Sequence, residues 1–258
     1  MTFPTIPTVA AGRILFANQA DATGTRTFPS LTGLTKNSGD LLIAIATGYQ
    51  DAGSSGAIFS AWGGSFTEFT DQMTTAGSTM CIGAAYKWST GSETGTFTVT
   101  QATPTGHASM CLLSIPLAHA STPPEAGTIA NGTSAAADPG SFNPAGWDAE
   151  DTLWIAVDAN GMTSGTGSWA ACGAGTLTSY SGQADSATAD SSTVGQTEIV
   201  VSFRQVNAAA EDRGAVSTHD TSNTRNSALI IAVRPIPVTF LVGWTNQATS
   251  GVLGTGAF

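Results

Sequence analysis

Histidine is the side chain best suited to act as a base near neutral pH, and the sequence has three: His107, His119 and His219. Nucleophilic catalysis needs such a base beside a serine or cysteine, oriented by a third group. None of the three lies in a recognisable motif of that kind, and no Gly-x-Ser-x-Gly turn is present. Because histidines at strand ends are usually only half buried, we predict solvated loop histidines and no catalytic triad.

Carboxylates could instead hold a metal ion. Asp148, Glu150 and Asp151 form an acidic turn before a predicted strand, and they are the candidates if calcium is bound. The string from Asp158 to Gly161 contains a fragment of a calcium-loop pattern, but it fits a turn more simply, because Asn-Gly readily adopts positive φ. His-Glu-x-x-His and a phosphate-binding Lys-Ser/Thr loop are absent. We therefore predict no metal and no cofactor, with the acidic turn as a solvated edge.

Three cysteines, Cys81, Cys111 and Cys172, are present without Cys-x-x-Cys spacing. An odd count with this spacing argues against a disulfide framework or a zinc site. Cys81 and Cys111 lie in apolar, strand-like runs, where a free cysteine behaves as a small hydrophobic residue. We predict that both are buried structural thiols.

Aromatic rings could bind sugars by stacking, and the chain has six tryptophans and three tyrosines. Trp88 and Trp147 flank predicted turns, so we expect them to be exposed and, with Tyr86, to be the candidate glycan contacts. Trp154 lies within an apolar run and is predicted to be buried.

The overall composition narrows the classes of function. The chain has 258 residues, of which only 10% are charged, and its net charge is −10. Its two lysines and six arginines are scattered singly, whereas nucleic-acid binding requires clustered cations. The acidic balance also suits anionic membranes poorly. We expect no nucleic-acid partner, and the low charge favours surfaces that contact neighbouring subunits.

Neither a signal peptide nor a run of 18 apolar residues is visible, so we expect synthesis in a cytoplasm and no membrane insertion. From Ile236 to Phe258 the sequence has no charged side chain. Apolar residues in such an arm must be covered, either by this fold or by a neighbouring subunit. The candidate assembly residues are Phe240, Leu241, Trp244 and Phe258.

An internal repeat organises the rest of the chain. Residues 38–46 match residues 149–157, with Asp40 opposite Asp151, and Trp62 and Trp169 follow the next loops at equivalent places. Further on, Cys81 faces Ile199 and the apolar run 109–115 faces 227–233. The domain prediction is an N-terminal segment with one strand (1–29), half one (30–117), a linker (118–140), half two (141–235) and a C-terminal arm (236–258).

Each half contains four or five short predicted strands separated by Gly-rich turns, and helical periodicity is nearly absent. A lone four-stranded half would leave one apolar face in water, so two halves should pack face to face. The run 227–233 is apolar at nearly every position and should form a central strand. We predict an all-β fold, a jelly-roll-like β-sandwich built from two sequence-related halves with N- and C-terminal extensions.

The string from Tyr86 to Thr100 (YKWSTGSETGTFTVT), which follows Gly39-Asp40-Leu41-Leu42, resembles duplicated β-sandwich proteins encoded among the tail and capsid genes of bacteriophages. The second half, closing on Ala-Val-Arg-Pro at 232–235, is also similar to them. The resemblance covers roughly residues 30–235 and implies a virion structural protein, with surface display and glycan contact. Residues 204–207 lack the Tyr-Lys and Gly-Ser-Glu elements, so a surface built on those elements would belong to the first half.

The leading hypothesis is therefore a structural component of a bacteriophage particle, a minor tail, fibre or capsid-decoration subunit. It would contact other virion proteins and copies of itself, and its exposed surface would contact host polysaccharide. The alternative is a carbohydrate-binding module or lectin. A glycan hydrolase or esterase ranks third, since neither paired carboxylates nor a triad stands out; we predict that the protein is not an enzyme.

Overall fold

The structure is a computed structural model that describes residues 2–19, 24–50, 58–72, 79–102, 107–132, 138–162, 180–187, 196–214 and 225–237. These residues form strands and one 3-10 turn, Leu31–Gly33, so none of the described segments contains a helix able to span a membrane. The predicted all-β class is confirmed.

Fourteen strands are present in the described part of the chain. The first eight are β1 (Ile14–Gln19), β2 (Thr25–Thr27), β3 (Leu41–Gln50), β4 (Phe59–Ser60), β5 (Thr67–Gln72), β6 (Thr79–Trp88), β7 (Thr98–Gln101) and β8 (Ala108–Ile115). The remaining six are β9 (Glu125–Ala126), β10 (Ala130–Gly132), β11 (Glu150–Met162), β12 (Ser181–Ala187), β13 (Gln196–Ala208) and β14 (Arg225–Val233).

Two antiparallel sheets form the sandwich, and each is built from one part of the chain. The first has the order β1-β8-β3-β6-β5, and the second has the order β10-β14-β11-β13-β12, with β9 also pairing with β14. The order is the same in both sheets when the strands are counted along the chain: first, fifth, second, fourth, third. β5 and β12 also each carry a register shift beside the central strand pair, at Glu68/Thr70 and at Ser181/Ala184. This shared geometry is what a duplication would produce, and common descent of the halves stays a prediction.

The register of the sheets corrects the sequence alignment of the halves. Ile43 pairs with Tyr86 and Leu113, and Ile155 makes the corresponding pairs with Phe203 and Ile231. The alignment of β8 with β14 was therefore right.

The other two strand alignments were one residue off. Leu41 corresponds to Leu153, so Asp40 corresponds to Thr152 and not to Asp151. Ile82, rather than Cys81, corresponds to Ile199. A slip of one residue exchanges the two faces of a strand, and apolar residues on both faces conceal such a slip in the sequence.

The main core lies between the two sheets. Alternate residues of the central strands point into it, and each is almost completely buried: Leu41, Ile43, Ile45, Cys111, Leu113, Ile115, Leu153, Ile155, Val157, Leu229, Ile231 and Val233. Facing sheets that interdigitate in this way bury their apolar faces against each other. The expected burial of residues 227–233 on both sides is confirmed, because every one of them is at most 1% exposed.

The outer face of the first sheet is covered by a small third sheet, β2-β7-β4. Phe28, Phe59 and Phe97 lie between them and pack on alternate residues of the central strands, such as Leu42 and Leu112. The rings of Phe28 and Phe97 are stacked, with centroids 4.5 Å apart. Both faces of the first sheet are therefore apolar, which explains why its strands read as continuous hydrophobic runs.

Two segments assigned to a terminus and a linker carry strands. Residues 1–29 were expected to hold one strand, but their described part holds β1, an edge of the first sheet, and β2 of the small sheet. The predicted linker 118–140 holds β9 and β10, which pair with β14 at the corresponding edge of the second sheet. These strands are two and three residues long, too short to produce a periodic pattern.

Candidate functional site

Three partly buried aromatic residues of the first sheet, Phe69, Tyr86 and Trp88, form one group at the rim of the main core. β6 positions Tyr86 and Trp88 on the same face, and the register shift in β5 places Phe69 beside them. The ring of Tyr86 meets Phe69 and Trp88 edge to face, with centroids 6.0 and 6.3 Å apart. Of the three predicted glycan-contact residues, Tyr86 and Trp88 are thus brought together. Trp88 was expected to be exposed, but it is partly buried against the main core.

Trp147 is not part of that group, and its predicted exposure was wrong. It is 7% exposed and packs with Trp154, Ile230 and Ala232 on the outer face of the second sheet. The guanidinium of Arg234 lies over its ring, 5.5 Å from the centroid. The turn that contains Trp147 therefore covers an apolar surface, which no local feature of the sequence indicates. The predicted burial of Trp154 is confirmed.

The acidic turn does not form a metal site. Asp148 is exposed, Glu150 forms an ion pair with Arg234, and Asp151 is buried and accepts a hydrogen bond of 2.8 Å from Asn207 Nδ2. The prediction of a solvated edge is therefore wrong for Asp151. Among the residues that the structure describes, no group of three histidine, cysteine, aspartate or glutamate side chains could hold a metal.

The two described histidines, His107 and His119, lie at different places in the fold. His107 is 2% exposed at the start of β8, so the prediction of a solvated loop residue was wrong there. The half-buried His119 uses Nδ1 to accept hydrogen bonds from the backbone N–H groups of Ser121 and Thr122, which orders a turn. His219 lies outside the described residues.

A buried polar layer that sequence reasoning missed covers the outer face of the second sheet. Arg213 donates to both carboxylate oxygens of Asp158, at 2.6 and 2.7 Å, and Asn160 Nδ2 donates to Glu198 at 3.3 Å. All four residues are at most 8% exposed. The predicted turn at 158–161 is wrong, because β11 continues through it to Met162.

The corresponding positions of the first sheet are not charged: Ala46 for Asp158, Gly48 for Asn160 and Cys81 for Glu198. Alternation of polar residues beyond Val157 is the signal that could have revealed this layer.

Around Cys81 the polar contacts are structural. Cys81 Sγ donates to Gly48 O at 3.0 Å, and Gln101 Nε2 donates to Tyr49 O at 3.3 Å. The fully buried Arg26 in turn donates to Gln101 Oε1 at 2.8 Å. Burial raises the pKa of the Cys81 thiol to about 12, which makes its nucleophilic thiolate scarce.

Cys111 lies in the main core, and burial raises the pKa of its thiol as well. The prediction of buried structural thiols is confirmed for both residues. Cys172 lies outside the described residues.

Asp71 is a partly buried carboxylate whose two oxygens have different surroundings. Its Oδ2 accepts hydrogen bonds from the backbone N–H groups of Ile58 and Phe59, at 2.7 and 2.6 Å, whereas its buried Oδ1 has no partner. Burial raises the pKa of Asp71 to about 7; the carboxylate of Glu68 also raises it, and the two N–H donors oppose the rise. These contacts tie β4 to the edge strand β5. They also fix Phe59, whose ring fills the space that a side chain at Gly83 would need.

The described polar groups each stabilise a different part of the fold. The candidate contact surface is the rim formed by Tyr86, Trp88 and Phe69. The predicted assembly residues Phe240, Leu241, Trp244 and Phe258 lie outside the described residues, as does Trp169. No protein-family model, curated protein or solved structure matches the chain.

Proposed function

We propose that this protein is a structural subunit of a virus particle, displayed on the tail or capsid surface and held there by its C-terminal arm. The observation that carries the proposal is an exposed apolar contact at Ile236, the position at which the predicted arm begins. Ile236 N–H donates to Leu117 O at 3.2 Å, and both side chains are exposed, at 43% and 42%. The 23 residues that begin at Ile236 carry no charge and include Phe240, Leu241, Trp244 and Phe258.

The described residues near Ile236 favour contact with a partner. Large hydrophobic side chains that are exposed are few in the described residues: Val9, Leu117 and Ile236. Two of them, Leu117 and Ile236, are joined by a backbone hydrogen bond at the position where the predicted arm begins, and exposed apolar surface is typical of protein contacts. The low charge of the whole chain, 10% of residues, fits a subunit surrounded by neighbours.

Quantitative mass spectrometry of purified particles tests the proposal. The particles would be those produced from the genome that encodes this chain. We expect its peptides at a fixed ratio to the major capsid protein, in several copies per particle. Absence of these peptides from intact particles would refute the proposal.

A second function, glycan binding, is favoured by the half-exposed rings of Tyr86 and Trp88. Aromatic rings at the rim of a β-sandwich offer apolar faces to sugar rings. We expect the variant Trp88→Ala to lose binding on a glycan array while its unfolding transition is retained. The matched control is Trp62→Ala, on the other side of the first sheet. Binding by neither the parent protein nor the control at millimolar oligosaccharide would exclude this function.

A further inference from the structure

Leu117 is the boundary between the two halves of the sandwich. On its N-terminal side, Pro116 O accepts a hydrogen bond from the backbone N–H of Thr5, in the N-terminal segment that leads into β1. On its C-terminal side, Ala118 bridges to Pro235, within the second half. The exposed Leu117 therefore lies between a backbone contact to the N-terminal segment and a bridge to the end of half two, and its own carbonyl accepts a hydrogen bond from Ile236 N–H.

No described strand crosses this boundary. β1 to β8 pair only with one another, in the first sheet and the small sheet, and β9 to β14 pair only with one another in the second sheet. The halves can therefore be pulled apart without breaking any strand pairing that the structure describes. Their main contact is the face between the sheets, and Gln205 Nε2 also donates a hydrogen bond of 2.6 Å to Pro4 O.

Corresponding strands of the two sheets make corresponding contacts across that face. β6 packs on β11 and β14, and the corresponding β13 packs on β3 and β8. Its buried residues are supplied by both halves, from Ile43 and Leu113 on one side to Ile155 and Ile231 on the other. Half two of another copy of this chain could therefore pack on half one of the first copy and make the same contacts that form within a single copy.

The connection at Leu117 is strained. Its φ is 61°, in the left-handed region that a leucine rarely adopts, and its neighbours on both sides are held in place. A short strained hinge between separable parts favours exchange between copies, because the hinge can extend in the exchanged form. We propose that Leu117 is a hinge for half exchange, through which half one of one copy packs on half two of a second copy. This inference does not depend on the proposed role in a virus particle.

Complementation between two damaged full-length chains tests the exchange. Ile43→Asp places a charge in the core face of half one, and Ile231→Asp does so in half two, where both wild-type residues are fully buried. We expect each variant to be insoluble when expressed alone. Coexpressed with different tags, the two should yield a soluble complex that carries both tags, because one intact sandwich can form from the undamaged halves.

The matched control coexpresses Ile43→Asp with Ile45→Asp, which damage the same half and should not rescue each other. Absence of any soluble two-tag complex from the first pair, or equal recovery from the control pair, would overturn the proposal.

A second measurement locates the hinge in undamaged protein. The parent chain, refolded at high concentration, should contain a dimer of twice the 26.0 kDa chain mass by light scattering. Leu117→Gly removes the strain, so the dimer fraction should fall on the order of tenfold. A dimer fraction that the substitution leaves unchanged, or a parent chain that never dimerises, would contradict a hinge at Leu117.

Discussion

The hydroxyls of Ser109 and Ser227 make the same contact in opposite directions across the sandwich. Ser109, on β8, donates to the carbonyl of Thr197, and Ser227, at the corresponding place on β14, donates to the carbonyl of Met80. Thr197 and Met80 themselves occupy corresponding places on β13 and β6. Two halves related by an approximate twofold axis would produce this pair of contacts.

Replacing either serine by alanine should weaken the attachment of the two sheets. Each substitution leaves a buried carbonyl without one donor, and we expect a loss of about 1 kcal/mol in the free energy of unfolding. Urea denaturation of Ser109→Ala and Ser227→Ala measures it, with the exposed Thr67→Ala as the control. Losses no larger than that of the control would show that the cross-sheet contacts do not stabilise the fold.

The ion pair of Asp158 and Arg213 should matter far more than that of Glu150 and Arg234. Asp158→Asn leaves a buried guanidinium without its bidentate carboxylate, which should cost about 3–5 kcal/mol. Glu150→Gln breaks a pair whose side chains are 21% and 29% exposed, and it should cost under about 1 kcal/mol. Chemical denaturation of the two variants gives the comparison. Equal losses would contradict a structural role for the buried pair.

Asp71 should make stability depend on pH near neutrality. Because burial raises the pKa of Asp71 from 3.8 to about 7, the folded state holds this proton more tightly than the unfolded chain. Its contribution to stability is therefore fully present below pH 3.8 and is lost as the pH rises through 7.

The variant Asp71→Asn removes this titration. The free energy of unfolding of the parent, relative to that of Asp71→Asn, should fall between pH 4 and pH 8. Asp138→Asn, at an exposed turn residue, is the matched control. A difference between parent and Asp71→Asn that stays constant over this range would contradict the raised pKa.

The two core thiols should resist modification in the folded protein. A Cys172→Ser variant leaves Cys81 and Cys111, both fully buried. Ellman's reagent at pH 8 should release no colour from the native variant and two equivalents in guanidinium chloride. Rapid reaction of either thiol in the native variant would contradict the described packing.

The sequence predicted the features that depend on alternation along a strand. The all-β class and the buried run at 227–233 follow from the fact that strands buried on both faces are apolar throughout. Burial on both faces also hides the register of a strand. Leu42 is as apolar as its inward-facing neighbours Leu41 and Ile43, so the alignment of the two halves was one residue off in two strands.

The features that depend on distant partners were not predictable. Asp158 resembled a turn residue because its stabilising partner, Arg213, lies far along the chain. Trp147 resembled an exposed residue because the surface that it covers is built by β11 and β14. Of the predicted glycan-contact residues, only Tyr86 and Trp88 lie together, because they are two residues apart on one strand.

The most direct test of the account is a map of the assembled particle at side-chain resolution. We expect the sandwich on the tail or capsid surface, with Leu117 and Ile236 towards the particle and Phe240, Leu241 and Trp244 buried against a neighbouring subunit. A complete particle map without this sandwich, or one in which the arm after Ile236 contacts no other subunit, would contradict it.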